Sequence, residues 1–112
     1  MKIQDYSFGK MKITGKTYTN DLKIFPNKIK PDWWRKEGHL LQTDDIKDVF
    51  EFEPDLLIIG QGKSGRMEIS EKLKEKLEES SIDYIAEDTA EAVKEFNKTK
   101  KEKVVGTFHL TC

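Results

Sequence analysis

Leu56-Leu57-Ile58-Ile59 is the longest uninterrupted apolar run in this 112-residue chain, and it constrains the fold more than any other feature. Four residues fall far short of the ~20 that a membrane-spanning helix needs. A short continuous run of this kind reads as a strand covered on both faces of a sheet. The segments C-terminal to it set the fold class. Ser70 caps a helix with Leu73 and Leu77 on one side and Lys and Glu elsewhere, including a Lys74–Glu78 pair at i,i+4. Ile82 to Ala86 reads as the next strand, and Thr89 as the cap of a helix with Val93 and Phe96 facing inward. Lys98 to Lys103 is a solvated connection and Val104 to Leu110 a last strand. Strand–helix–strand–helix–strand predicts a three-layer α/β core with right-handed crossovers.

The N-terminal third has a different character. Lys10 to Thr14 alternates, Gly15-Lys16 supplies a turn and Thr17 to Thr19 resumes, which predicts a β-hairpin. Leu22 to Phe25 comes after the Asn20-Asp21 break, and Pro26 and Pro31 bracket an irregular stretch. Thr43 with Asp44 and Asp45 marks a helix start, a hydroxyl cap with carboxylates at the positive end of the dipole. That helix carries Ile46, Val49 and Phe50 inward and stops by Pro54. With no repeat or linker, residues 1–112 read as one domain, a length typical of one.

Charged residues make up 37% of the chain against a usual share near 25%, yet the net charge is only −1. That balance argues against a nucleic-acid binder held by a basic surface. Eighteen of the twenty cations are Lys, a trend shared by hyperthermophile proteins and by AT-rich codon usage. A single cysteine fits a reducing compartment, and the N-terminus has no apolar signal segment. The expectation is a cytoplasmic protein that does not engage a membrane.

Gly60-Gln61-Gly62-Lys63-Ser64-Gly65 matches the G-x-G-x-x-G dinucleotide pattern directly after a strand. The mechanics fit poorly. In that motif the helix opens within the glycine run, so that the pyrophosphate meets its N-terminus. Here Met67-Glu68-Ile69 alternates like extended chain and the first cap is Ser70. Gly62-Lys63-Ser64 also imitates the end of a P-loop, but the position that loop needs as glycine is Leu57. What remains is a tight turn at the carboxyl end of a central strand, or an anion-binding nest of exposed amides helped by Lys63 and Arg66.

His39, His109 and Cys112 are the only histidines and the only thiol. A zinc site or a Cys–His39 nucleophile would require remote segments to converge, and no metal-ligand spacing supports it. Residues three apart on a strand point to opposite faces, which separates His109 from Cys112. Asp44, Asp45 and Asp48 suit a helix dipole better than acid–base work. Trp33-Trp34-Arg35 is the most unusual local feature. Neighbours on an extended segment face opposite ways, so one Trp is expected in the core and the other on the surface beside Arg35, a residue pair favoured at interfaces.

Phe8-Gly9-Lys10-Met11, Asp32-Trp33-Trp34-Arg35, Gly38-His39, Leu57-Ile58-Ile59-Gly60-Gln61-Gly62, Thr89 to Asn97 and Gly106 to Cys112 occur in an order that resembles the adipogenesis-associated Mth-domain family. That family includes the mitochondrial assembly factor 3 of complex I. The resemblance spans nearly the whole chain and implies a mixed central sheet flanked by helices with an added N-terminal β-element. It implies no established enzymatic activity, with roles in assembly and regulation through protein contacts. The doubled Trp departs from the family's single Trp, and the mitochondrial role is not carried over.

The leading expectation is a non-catalytic domain that binds a protein partner or itself. Its surface is built from Trp33, Trp34, Arg35, His39, Gly60, Gly62, Lys63, Arg66 and His109. The alternative is a small-molecule site, enzymatic or not, in which Lys63 and Arg66 hold an anion at the Gly60–Arg66 loop with His109 nearby. Neither a metal nor a cofactor is expected.

Overall fold

Ten strands and three α-helices, described over residues 1–112 of the computed structural model, build a sheet with a layer on each side. β1 (Ile3–Ser7), β2 (Lys10–Ile13) and β3 (Lys16–Tyr18) form an antiparallel sheet of their own. β4 (Leu22–Phe25) and β5 (Lys28–Lys30) open the central sheet, and the two residues of β6 (Leu40–Leu41) lead into a 3-10 turn at Thr43–Ile46. Then come α1 (Lys47–Phe52), β7 (Leu56–Gln61), β8 (Glu68–Ile69), α2 (Glu71–Glu79), β9 (Asp83–Glu87), α3 (Thr89–Lys98) and β10 (Val104–His109).

The central sheet runs β5-β4-β10-β7-β9. β10 is parallel to β7 and antiparallel to β4, and β7 is parallel to β9, so the sheet is mixed. The period of two along β7 divides the core. Leu57 and Ile59 join Leu73 and Leu77 of α2, with Val49 of α1 and Trp33. Leu56 and Ile58 face Ala92 and Phe96 of α3, with Ile3, Met11 and Ile13 of the N-terminal sheet. The chain steps outward from β7 to β9 and then back past β7 to β10. Right-handed crossovers place the helices of two such opposed steps on opposite faces, as α2 and α3 are.

Several expectations change in detail. The N-terminal hairpin carries a third strand, β1, whose mostly exposed residues offer little pattern. The stretch between Pro26 and Pro31 is not irregular: it holds β5, because both prolines lie outside the hydrogen-bonded residues Lys28–Lys30. Gln42, not Thr43, occupies the N-cap of the 3-10 turn, and the Asp45 carboxylate accepts from its amide at 2.8 Å. Asp88, not Thr89, caps α3. Lys74 pairs with Glu71 at 3.4 Å and not with Glu78. Ser70 caps α2 as expected, its hydroxyl accepting from the Leu73 amide at 3.1 Å. Asp48 is a larger correction: it binds Lys23 and Lys30, each at 2.8 Å, a tie between α1 and the first two strands of the central sheet. No helix is long and apolar enough to cross a membrane.

Candidate functional site

The carboxyl end of the parallel strands gathers residues from both halves of the sequence. Phe108 of β10 pairs with Leu22 of β4, and because those strands are antiparallel, Asp21 arrives beside His109. Asp21 Oδ1 accepts from the Leu110 amide at 2.7 Å, and Asp21 Oδ2 lies 2.8 Å from His109 Nδ1 and 2.8 Å from Arg35 Nη1. The Asp21 carbonyl accepts from the Trp33 amide at 2.8 Å, which fixes the segment carrying Arg35. The guanidinium stacks 4.8 Å from the Trp33 ring centre and is almost wholly buried, with Nη2 donating to the Gly38 carbonyl at 2.9 Å.

These contacts leave two places for the His109 proton. Arg35 only donates and ionised Asp21 only accepts, so His109 Nδ1, close to both, satisfies one of them. We assign its proton to the shorter contact, with Nδ1–H donating to Asp21. That leaves His109 Nε2 on the far edge of the ring, buried and without a partner. Burial by itself would raise the Asp21 carboxyl, but the hydrogen bonds from His109 and the Leu110 amide and the charge of Arg35 outweigh it and hold the carboxyl below its ordinary value. Tyr6, whose hydroxyl donates to the Leu110 carbonyl at 3.0 Å, is shifted upward by burial and by the nearby carboxylates Asp88 and Asp21.

Above the cluster lies a cleft of about 280 Å³ whose lining includes Asn20, Asp21, Trp34, Arg35, His109 and Thr111. Trp33 and Trp34 separate as their alternation requires. Trp33 is in the core with its indole N–H on the Asp45 carbonyl, whereas Trp34 at the rim is 77% exposed. His39 lies with its ring centre 6.0 Å from that of His109.

The glycine loop is built differently from an anion nest. Gly60 belongs to β7, where a Cβ would meet the Phe108 ring at 2.9 Å and the Thr89 hydroxyl at 3.0 Å. The Gly62 amide donates to the Thr89 hydroxyl, Lys63 to the Thr111 carbonyl, Gly65 to the Gly62 carbonyl and Met67 to the Gln61 carbonyl. Four of the amides an anion would use are therefore committed within the protein. The Lys63 and Arg66 side chains are exposed, and neither joins the ion pairs of the Asp21–Arg35–His109 cluster. The loop instead serves the strand beyond it: the Thr89 hydroxyl accepts from the Gly62 amide and donates to the His109 carbonyl at 2.6 Å.

The remote segments that a Cys–His39 pair requires do converge. β10 ends at His109, and beyond it the chain no longer alternates, so Cys112 Sγ reaches 3.6 Å from His39 Nε2. No group of three or more His, Cys, Asp or Glu side chains is arranged to hold a metal. Asp21, Thr89 and Thr111 carry no local signal of these contacts in the sequence, because the partners that define them are distant along the chain.

Fold and site together define a class: a mixed-sheet α/β domain with an N-terminal β-layer and a polar cluster at the carboxyl end of its parallel strands. The chain belongs to the DUF498/DUF598 family of proteins of unknown function, whose pattern it matches over residues 3–109. This bears out the resemblance to the Mth-domain proteins. A conserved hypothetical protein from Pyrococcus horikoshii OT3 is 27% identical, with all of both chains covered and a TM-score of 0.82. A Mth938-like domain from Bordetella pertussis superposes at 0.72 with 12% identity, covering 97% of this chain and 85% of its own. An outer membrane protein from Bartonella henselae gives 0.80 at 22% identity, covering 98% and 94%. The last two establish shared fold alone.

Proposed function

We propose that this domain works by binding another protein or a second copy of itself, as an adaptor or assembly-type module, through the surface around Trp34. The observation that carries the reading is the contrast within one dipeptide: Trp33 is anchored in the core while Trp34 is 77% exposed. An exposed indole on an anchored backbone loses little conformational freedom on binding, which suits it to a hot spot. The Phe8 side chain, also exposed, sits in the β1–β2 turn, where the Gly9 amide donates to the Leu110 carbonyl. It therefore flanks the same strand end. Affinity isolation from the native lysate, with size-exclusion measurement of the purified chain, tests this. Trp34→Ala is expected to abolish capture or self-association while leaving the thermal midpoint unchanged; a partner retained undiminished by Trp34→Ala removes the assignment.

A second reading has its own observation. The cleft beneath Trp34 has a floor of two buried polar side chains, Arg35 and His109, which suits a small polar ligand. With the loop amides committed, that ligand would lie in the cleft and not in the Gly60–Arg66 loop. A thermal-shift panel of carboxylates, phosphates and nucleotides separates the two readings.

A further inference from the structure

The thiol beyond the end of β10 takes no part in the contact surface described above, yet four features converge on it. Cys112 Sγ lies 3.6 Å from His39 Nε2, within reach for transfer of the thiol proton to the imidazole. Cys112 is partly exposed and His39 exposed, so the pair is open to a reagent in solution. The main chain at this point is held in place. Lys63 N–H donates to the Thr111 carbonyl at 2.6 Å, and Gly62, at φ +99°, lets the Cys112 backbone pack where any Cβ would lie 2.7–2.8 Å from it. The same Cβ would meet His109 Cδ2 at 2.8 Å, so the edge of the His109 ring that carries Nε2 faces this junction. That nitrogen is buried and unpaired. Buried polar atoms rarely go without a partner in native proteins, so this nitrogen has capacity to accept a hydrogen bond from a group brought to the junction.

We propose that Cys112, with His39 as its proton acceptor, is a reactive thiol that exchanges with low-molecular-weight disulfides of the aminothiol and peptide-thiol class. His39 takes the proton and the Cys112 thiolate attacks one sulfur of the disulfide. A new S–S bond forms to Sγ as the old one breaks, and the departing thiolate takes up the proton from His39. Electrons balance within the exchange, without an added oxidant. Such ligands carry amide N–H groups near the sulfur, and one of these donates to His109 Nε2, which as the unprotonated ring nitrogen only accepts. The chain has no second cysteine, so the product persists as a mixed disulfide until another thiol releases it. The glycine motif then acts as the platform that seats the thiol.

The test is the rate at which the 112-residue chain forms a mixed disulfide with glutathione disulfide at pH 7, monitored by mass spectrometry. A free thiol is only a few per cent thiolate at that pH, and because a more acidic thiol is a weaker nucleophile, activation by an imidazole raises the rate about threefold over free cysteine. His39→Ala, a change at an exposed side chain, is expected to bring the rate down to that of free cysteine, and added imidazole to restore part of it. Gly62→Ala is expected to slow the reaction by displacing the Cys112 main chain. A wild-type rate equal to that of free cysteine overturns the proposal, as does a His39→Ala protein that reacts as fast as wild type. Both outcomes are independent of whether Trp34 binds a partner.

Discussion

At Gly106 the central strand passes so close to an aromatic pair that one methyl group decides stability. A Cβ there would lie 2.4 Å from the Phe108 ring and 3.0 Å from that of Phe96, and those rings pack edge to face at 5.7 Å. Gly106→Ala is expected to cost about 1–3 kcal/mol by overpacking, read as a lower urea midpoint with unchanged slope. Acid sensitivity is also set by single residues. For Asp48, burial would raise the carboxyl, but Lys23 and Lys30 outweigh it, so both Asp48 and Asp21 titrate below the ordinary 3.8 when folded. The unfolded chain then binds more protons around and below that value, so their contribution is complete above about pH 5 and is lost as pH falls through the folded values. The urea midpoint is expected to fall most steeply below about pH 4, and Asp48→Asn to flatten that fall while lowering the neutral plateau. Only part of this is visible in the sequence. Alternation splits Trp33 from Trp34, but Asp21 looks like an ordinary turn breaker, since His109 lies 88 residues away. Which Trp turns inward is decided by the Asp45 carbonyl and Arg35, neither of which local pattern can supply.

Among the elements, α3 is joined to the sheet by more than apolar packing. Its first residue, Thr89, accepts from the Gly62 amide after β7 and donates to the carbonyl of His109 at the end of β10. Thr89→Val keeps the shape but leaves a buried donor and acceptor unpaired, at a cost of about 1–3 kcal/mol for each group. Ser70→Ala, which removes only the cap of α2, is expected to cost about 1 kcal/mol. Thermal melts of the two variants should therefore differ clearly, with Thr89→Val much the lower. The contrast also explains which elements are readable. β7, α2, β9, α3 and β10 have strong local periods, and the sequence pattern places them to within about two residues. β1 and β5 escape it because a strand of three to five residues with one wet face offers almost no period. Thr89 reads as a cap because hydroxyls favour that position, whereas here its hydroxyl serves the sheet and Asp88 does the capping.

The whole molecule is closed by its last element. β10 lies between β4 and β7, bonded to both, and brings Phe108 and Leu110 into one core and Val105 into the other. A chain ended at Lys103 is expected to lose cooperative unfolding altogether, read as a featureless thermal scan and poor amide dispersion. Synthesis runs from the other direction. Roughly eighty residues separate β4 from β10, a gap that takes on the order of 4–16 s to translate at ~5–20 residues per second. Throughout that interval β4 has no partner on its inner edge, and by its end, once β9 has been made, β7 also waits for one. Folding of this domain therefore waits until β10 has left the ribosome. Until then the facing edges of β4 and β7 stay unpaired, which makes them the template for pairing with another chain.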